Sequence, residues 1–225
     1  IFVFAFIGSI VAMLFPAAPA WQYATIGEGW DGPGQGKAAL QYNFATLTAD
    51  NGLTADQVKQ AFRDAMNVWA AVADITFTET TNRFQANTIV INFTTGLGTP
   101  LALTTYPPPT ITDMVPFYLA GDLTLNDDYS WEIGNNLGNA YDLKYIAVHE
   151  IGHALGLEHS SVSGAVMYFG ASPDWVFSAL NQDDIDSIRS LYSFTTVAPN
   201  NPPPVTAVAI PTSGTAPATV IFTAT

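Results

Sequence analysis

The 225-residue chain contains no cysteine, which excludes disulfide bridges and a thiolate nucleophile within it. Basic residues are also scarce, because 6 lysines and arginines stand against 19 aspartates and glutamates, giving a formal net charge of -13. This charge opposes contact with nucleic acid and with anionic membrane surfaces, which attract cations. We therefore expect no nucleic-acid partner. With 48% hydrophobic residues, the chain has enough apolar side chains for a globular core.

Histidine is scarce too: the chain has three, all in the string H-E-I-G-H-A-L-G-L-E-H that begins at His149. Residues i and i+4 share one face of an α-helix, so His149 and His153 can present their rings to one ion. Gly156 can take the left-handed conformation that ends a helix, which would turn His159 back as a third ligand. Three protein ligands leave the fourth position of a zinc ion open, as is typical of a catalytic site.

Glu150 follows the first histidine of this string and lies one step further round the helix. Its carboxylate could reach a water molecule at the open position without binding the metal, which is the geometry of a general base. We therefore predict one catalytic Zn²⁺ held by His149, His153 and His159, with Glu150 as the catalytic residue. The short H-E-x-x-H string also occurs by chance in unrelated proteins, but the longer string with Gly156 and His159 is far less frequent by chance.

The N-terminal residues have the composition of a secretion signal. Residues 1–15 are almost wholly apolar and are followed by Ala18-Pro19-Ala20, an A-x-A cleavage pattern. The apolar run is too short for a typical membrane span, and neither an initiator Met nor a basic flank precedes it. We interpret residues 1–20 as part of a signal peptide, and we expect a secreted protein without stable membrane insertion. A membrane anchor is the alternative.

The hydrophobic pattern predicts mixed strands and three helices. A capping box formed by Thr54 and Gln57 begins a helix over residues 55–72, and Asn181 is the predicted N-cap of the last helix. The helix that carries the histidine string is predicted over residues 141–155. Alternating or β-rich runs predict strands at 38–44, 75–80, 88–93 and 101–106, with a strand and turn in 122–131.

The composition changes after Tyr192 to a proline-rich run that is typical of a linker. We place the main domain at residues 21–194 and the linker at 195–204. Residues 205–225 alternate apolar and small polar residues and resemble the opening strands of a PKD-type immunoglobulin-like module. A segment this short cannot close a β-sandwich, so we interpret it as a truncated module, with a disordered tail as the alternative.

The chain resembles the metzincin clan of zinc peptidases and, within that clan, the matrixin family, which includes the matrix metalloproteinases. The resemblance covers roughly residues 40–192. Beyond the zinc motif it rests on Ser160, which follows the third histidine, and on Val166-Met167-Tyr168 at the place of the family's Met-turn. Residues 61–69, 75–79 and 182–186 further resemble the family's first helix, second strand and final helix.

This resemblance implies an α+β metzincin fold: a twisted, mostly parallel five-stranded sheet, three helices and a small C-terminal subdomain. It assigns His149, His153 and His159 to zinc, Glu150 to water activation, and Met167 to the apolar floor beneath the metal. The resemblance thus implies a zinc metalloendopeptidase.

The resemblance also implies a mode of substrate binding. Protein or peptide substrates would add as an extended strand to residues 101–106, a mode in which backbone hydrogen bonds supply affinity. Residues 169–180 would wall the main specificity pocket. We expect the protein to act as a monomer.

Two departures from the family pattern limit the expected metals. Thr124 stands where the family has a histidine ligand of a second zinc, so we expect one zinc. The turn Asn126-Asp127-Asp128-Tyr129 lacks the family's glutamate, so Ca²⁺ could bind there but has no support residue by residue.

A catalytically inactive zinc-binding adhesion or scaffold module is the alternative function, suggested by the PKD-like segment. Glu150 argues against it, because a site kept only for metal binding needs no carboxylate there. An exopeptidase would need a group that holds a substrate terminus, and the sequence offers no identifiable one.

Overall fold

The computed structural model describes residues 25–32, 36–47, 53–107, 119–134 and 138–193. The predicted signal peptide (1–20), linker (195–204) and PKD-like segment (205–225) lie outside these ranges, so those three assignments stay predictions. Within the described ranges, no helix has the length and apolar character needed to cross a bilayer.

Five strands of the described chain form one sheet, and its order is β2-β1-β3-β5-β4. Neighbouring strands run parallel except for β4, which is antiparallel to β5 with Leu103 opposite Thr124. The predicted mostly parallel five-stranded sheet is therefore confirmed. Its strands are β1 (Ala38–Phe44), β2 (Ile75–Glu79), β3 (Thr88–Thr94), β4 (Ala102–Thr104) and β5 (Leu123–Asn126).

The first helix, α1 (Ala55–Ala70), begins with the predicted capping box, in which Thr54 and Gln57 satisfy each other's backbone N–H groups. The core buries one face of this helix, formed by side chains at helical spacing: Val58, Ala61, Phe62, Ala65, Met66 and Trp69. Full burial of a large apolar side chain contributes about 1.5–3 kcal/mol, so this face anchors α1.

The second helix, α2 (Leu143–Ala154), begins two residues later than predicted. Tyr141–Asp142 instead form β7, which pairs with β6 (Trp131–Glu132) in a second, two-stranded sheet. The physical reason is the Asp142 side chain, which accepts a hydrogen bond from the Lys144 N–H and acts as the N-cap. The helix is buried on nearly all sides, and the Trp69 indole N–H of α1 donates to the Val148 carbonyl at 2.9 Å.

The third helix, α3 (Gln182–Leu191), has Asn181 as its N-cap, as predicted. After it, the Tyr192 hydroxyl donates to the Leu155 carbonyl at 2.7 Å and accepts from the Trp30 N–H at 3.1 Å. The Trp30 indole N–H donates to the Ala154 carbonyl at 2.7 Å. Side chains from both ends of the described chain therefore hold the C-terminal end of α2.

Candidate metal centre and cleft

The three histidines converge on one point. His149 and His153 lie one turn apart on α2, and His159 reaches them from the loop after the helix. One ligand atom from each ring lies within 4.8 Å of the others, and the Nε2 atoms of His153 and His159 are 3.2 Å apart. Within the described ranges, this is the one group of three or more His, Cys, Asp or Glu side chains that could hold a metal ion.

The turn at Gly156 makes this convergence geometrically feasible. Its φ of +103° lies in the region that favours glycine, as expected from the sequence. A Cβ atom there would stand 3.2 Å from Leu191 Cδ1 and 3.3 Å from Pro107 Cγ, so the turn is also closely packed. The reversal ends α2 and directs the chain back toward its own histidines.

Backbone carbonyls fix the orientation of the two buried rings. The Nδ1 atom of His149 lies 2.7 Å from the Val166 carbonyl oxygen, and that of His153 lies 2.7 Å from the Leu157 carbonyl oxygen. A carbonyl only accepts, so Nδ1 carries the hydrogen in both rings and Nε2 keeps its lone pair for a metal. This donor set of oriented imidazole nitrogens fits a zinc ion.

Burial also keeps these rings in the form that binds metals. It lowers the pKa of both His149 and His153 to about 4. Charge repulsion between the protonated rings lowers these pKa values further. His159 has this effect on His149, and mainly His149 has it on His153. Both rings are therefore neutral at neutral pH, and a metal need not displace a proton from Nε2.

Glu150 lies beside the histidine group and is buried, with 7% of its surface exposed. The Thr104 hydroxyl on β4 donates to Glu150 Oε2 at 2.5 Å. Burial raises the pKa of this carboxyl, and the neighbouring His153 and the Thr104 hydrogen bond oppose that rise. The structure thus places the predicted catalytic carboxylate next to the predicted ligands.

Met167 packs beneath α2 and is almost fully buried. Its segment is tied to α3 by Asp184, whose carboxylate accepts from the N–H groups of Val166 at 2.9 Å, Met167 at 3.1 Å and Asn181 at 2.8 Å. The Ser160 N–H donates to the Met167 carbonyl at 2.7 Å, which joins this segment to the histidine loop.

One cavity adjoins the histidine group, and a second cavity shares a lining residue with it. The first, of about 250 Å³, lies between the start of β4, the face of α2 that carries His149 and Glu150, and Phe169. The second, of about 400 Å³, is lined by residues of the 163–166 and 174–179 segments. Tyr145 lines both cavities. The segment predicted to wall the specificity pocket, residues 169–180, contributes to both cavities.

The two departures from the family pattern also have places in the structure. Thr124 on β5 faces Leu103 across the strand pair, and neither side chain is a zinc ligand. In the acidic turn, the Asn126 amide donates to the carbonyls of Gly98 and Pro100, and Asp128 accepts from the Gly96 N–H at 2.7 Å. The turn is therefore closed by hydrogen bonds within the protein. Calcium binding at this turn stays a prediction.

The sheet, the three helices and the histidine group are consistent with the metzincin fold. The sequence profile of the matrixin family, a peptidase family, matches residues 34–193. The chain therefore belongs to the matrixin family, whose members are zinc enzymes.

Curated relatives include matrix metalloproteinase-25 of Mus musculus, 30% identical over 195 residues that cover 81% of this chain and 30% of that protein. Metalloendoproteinase 5-MMP of Arabidopsis thaliana is 34% identical over 197 residues, which cover 79% of this chain and 47% of that protein. Interstitial collagenase of Sus scrofa is 33% identical over 178 residues, which cover 72% of this chain and 34% of that protein. The chain thus spans less than half the length of these relatives.

Sequence reasoning missed Thr104, Tyr145 and Asp184 as parts of the site. Thr104 falls within the predicted edge strand, but strand periodicity does not show which helix residue a side chain meets. From the sequence alone, Tyr145 is indistinguishable from the other large side chains that pack in a buried helix. Asp184 lies in the segment that resembles the family's final helix, and its contacts to Val166 and Met167 are tertiary, so the local sequence does not show them.

Proposed function

We propose that this protein is a secreted, zinc-dependent endopeptidase that hydrolyses peptide bonds in proteins, with Glu150 as its general base. The observation that carries the proposal is a buried carboxylate beside three converging histidines at the edge of an open cavity. Membership of the matrixin family supports the peptidase class.

His149, His153 and His159 would hold one zinc ion through ring nitrogens. A zinc ion held there supplies Lewis acidity and a water molecule of lowered pKa, about 7. His159 is exposed, whereas the other two rings are buried, so the site opens to solvent on the side of the third ligand.

Glu150 would move the proton. Its Oε2 atom is engaged by Thr104, so Oε1 is the atom that accepts the proton of the attacking water. The same carboxyl then protonates the leaving amine of the cleaved peptide bond. Because burial raises the pKa of Glu150, the proton is held more firmly than on an exposed carboxylate, which suits a group that accepts and returns it.

An extended peptide would bind along β4. The Leu101 carbonyl accepts from the Asn126 N–H of β5, and the Thr105 N–H donates to Asp122 just before β5. The backbone groups of the alternate residues Ala102 and Thr104 therefore point away from β5, toward the free side of the strand. β4 lies at the edge of the described sheet, where a further strand can add. A substrate side chain would enter the cavity of about 250 Å³ beside His149.

Secretion is proposed from the apolar run and the A-x-A pattern of residues 1–20. N-terminal sequencing of the product exported by a secreting host tests it, and the expected first residue is Trp21. A product that retains residues 1–20 and pellets with membranes would favour the anchor.

The deciding experiment is Glu150→Gln in the zinc-loaded protein. Gln keeps the size of the side chain but cannot take up a proton, so peptide hydrolysis should fall by about 10²- to 10⁴-fold. One equivalent of zinc and the circular-dichroism spectrum should persist. Glu132→Gln, which removes an exposed carboxylate on β6, is the matched control and should hydrolyse peptides normally.

Near-native turnover by zinc-loaded Glu150→Gln would refute the assigned base. If the unmodified, zinc-loaded protein cleaves no protein substrate, the adhesion or scaffold function becomes the better explanation. Two equivalents of tightly bound zinc in dialysed protein would contradict a site built from these three histidines.

A further inference from the structure

Thr104 is the residue through which the edge strand contacts the candidate base. Its hydroxyl lies 2.5 Å from Glu150 Oε2, although the two residues are 46 positions apart in the sequence. Within the described residues, this is the one hydrogen bond that the Glu150 carboxylate makes.

The position of this hydroxyl is fixed by the sheet. Thr104 pairs with Leu123 in the antiparallel β4–β5 ladder, and the next residue, Thr105, donates its N–H to the Asp122 carbonyl at 2.8 Å. A β-branched side chain has restricted χ1 freedom, so a fixed backbone leaves the hydroxyl few alternative places. The donor is thus positioned before any substrate binds.

The acceptor, by contrast, is flexible on its own. A glutamate side chain has several rotatable bonds, and immobilising it opposes rotamer entropy. Holding one carboxylate oxygen removes much of this freedom and points the other oxygen in a defined direction. A displaced reactive group can slow a reaction severely even when it is still present.

We propose that Thr104 is a positioning residue, which holds Glu150 by one carboxylate oxygen and leaves the other free to take the proton of the attacking water. This inference rests on the function proposed above for Glu150. It also joins substrate binding to catalysis, because the strand that carries Thr104 is the one along which a peptide would bind.

The test compares Thr104→Val, which has nearly the same shape without the hydroxyl, with Thr104→Ser, which restores a hydroxyl. In the zinc-loaded protein, Thr104→Val should lower kcat about 10-fold, the effect of one hydrogen bond to a charged group. KM should change by less than about two-fold, since the peptide contacts the backbone of β4 rather than this side chain. Thr104→Ser should recover most of the lost kcat.

Two controls separate positioning from general damage. Thr78→Val makes the same replacement at an exposed position on β2, the opposite edge of the sheet, and should leave kcat unchanged. Zinc content should be one equivalent in every variant.

A second readout needs no catalysis. In zinc-free protein, Thr104→Val should lower the free energy of unfolding when Glu150 is present, and have a smaller effect in the Glu150→Ala background, where no acceptor remains. Equal effects in both backgrounds would overturn the proposed contact.

Kinetic outcomes distinguish this inference from the function on which it rests. If the unmodified protein hydrolyses peptides and Thr104→Val turns over as fast, or Thr104→Ser is as slow as Thr104→Val, the positioning role is wrong while the peptidase stands. If the unmodified, zinc-loaded protein hydrolyses nothing, the proposed function fails and the positioning role fails with it.

Discussion

The Sδ atom of Met167 lies 2.4 Å from the position that a Cβ atom on Gly152 would occupy. Gly152 stands on α2 next to His153, one of the two helical histidines of the candidate metal site. The methionine therefore packs directly against the helix backbone, and the absence of a side chain at residue 152 sets how closely it approaches.

This relationship predicts the effect of Gly152→Ala. The added methyl group must displace Met167 and would also lie 3.1 Å from the buried Trp69 ring. Overpacking of this kind costs about 1–3 kcal/mol, and the shift of α2 should also weaken zinc binding. Urea denaturation and competitive zinc titration measure the two effects.

The matched control is Gly170→Ala, because a Cβ there meets nothing within 4 Å and the backbone is not left-handed. Its free energy of unfolding should stay within about 0.5 kcal/mol of the unmodified value. If Gly152→Ala is as stable as this control, the close packing has no energetic consequence.

His149 and His153 should destabilise the zinc-free protein as the pH falls from about 6.5 to about 4, against the opposite contribution of Asp122, Glu150 and Asp184, whose pKa values burial raises. In the folded chain burial lowers the pKa of His149 and His153 to about 4, whereas an unperturbed histidine has a pKa of 6.5. Between these values the unfolded chain binds protons that the folded chain excludes, so unfolding is favoured at lower pH. Urea titrations of chelator-treated protein at several pH values measure this slope.

Replacing both rings, as His149→Gln together with His153→Gln, should flatten the slope in this window whatever it does to the absolute stability. Zinc should not flatten it at pH values where the ion stays bound, because the metal keeps the folded rings unprotonated while the unfolded chain still takes up protons. An unchanged slope in the double variant would show that other groups determine the acid sensitivity.

Tyr145 should limit the size of the substrate side chain that the cleft accepts. It lines both the cavity of about 250 Å³ beside the histidines and the second cavity of about 400 Å³. Tyr145→Leu should join them and raise kcat/KM for peptides with long apolar side chains next to the cleaved bond. An added methylene in an apolar pocket changes kcat/KM by about 10- to 200-fold at most.

The control for this prediction is Tyr145→Phe, which keeps the ring and its contact with Trp175 while removing the hydroxyl. It should preserve the preference of the unmodified protein. A peptide library cleaved with the same profile by Tyr145→Leu and Tyr145→Phe would argue against a barrier at this position.

The elements that the sequence predicted well are those with a strong local signal. The buried face of α1 follows directly from apolar residues at helical spacing, and the capping residues Thr54 and Asn181 mark where two helices begin. The spacing of His149 and His153 likewise follows from the period of one helix. These features depend on residues that are close in the sequence, so they can be predicted without knowing the tertiary structure.

The remaining features depend on residues that are distant in the sequence. The family resemblance implies that residues 101–106 lie at the sheet edge, but only the packing of β4 near α2 shows that Thr104 meets Glu150. That Tyr145 lines both cavities depends on the path of residues 163–179, which is not a local property of the sequence. Local periodicity carries none of this information, so the sequence indicates which residues form the candidate site but not which residues hold them in place.

The contacts of Trp30 and Tyr192 with the end of α2 have a consequence for biosynthesis. These residues are 162 positions apart, and together they satisfy the carbonyls of Ala154 and Leu155 at the C-terminal end of the helix that carries His153. A growing chain that has not yet exposed Tyr192 leaves the Leu155 carbonyl without this partner, and helix ends without such partners fray. Because contacts so distant in sequence form late in folding, metal loading should follow synthesis of nearly the whole domain rather than accompany it.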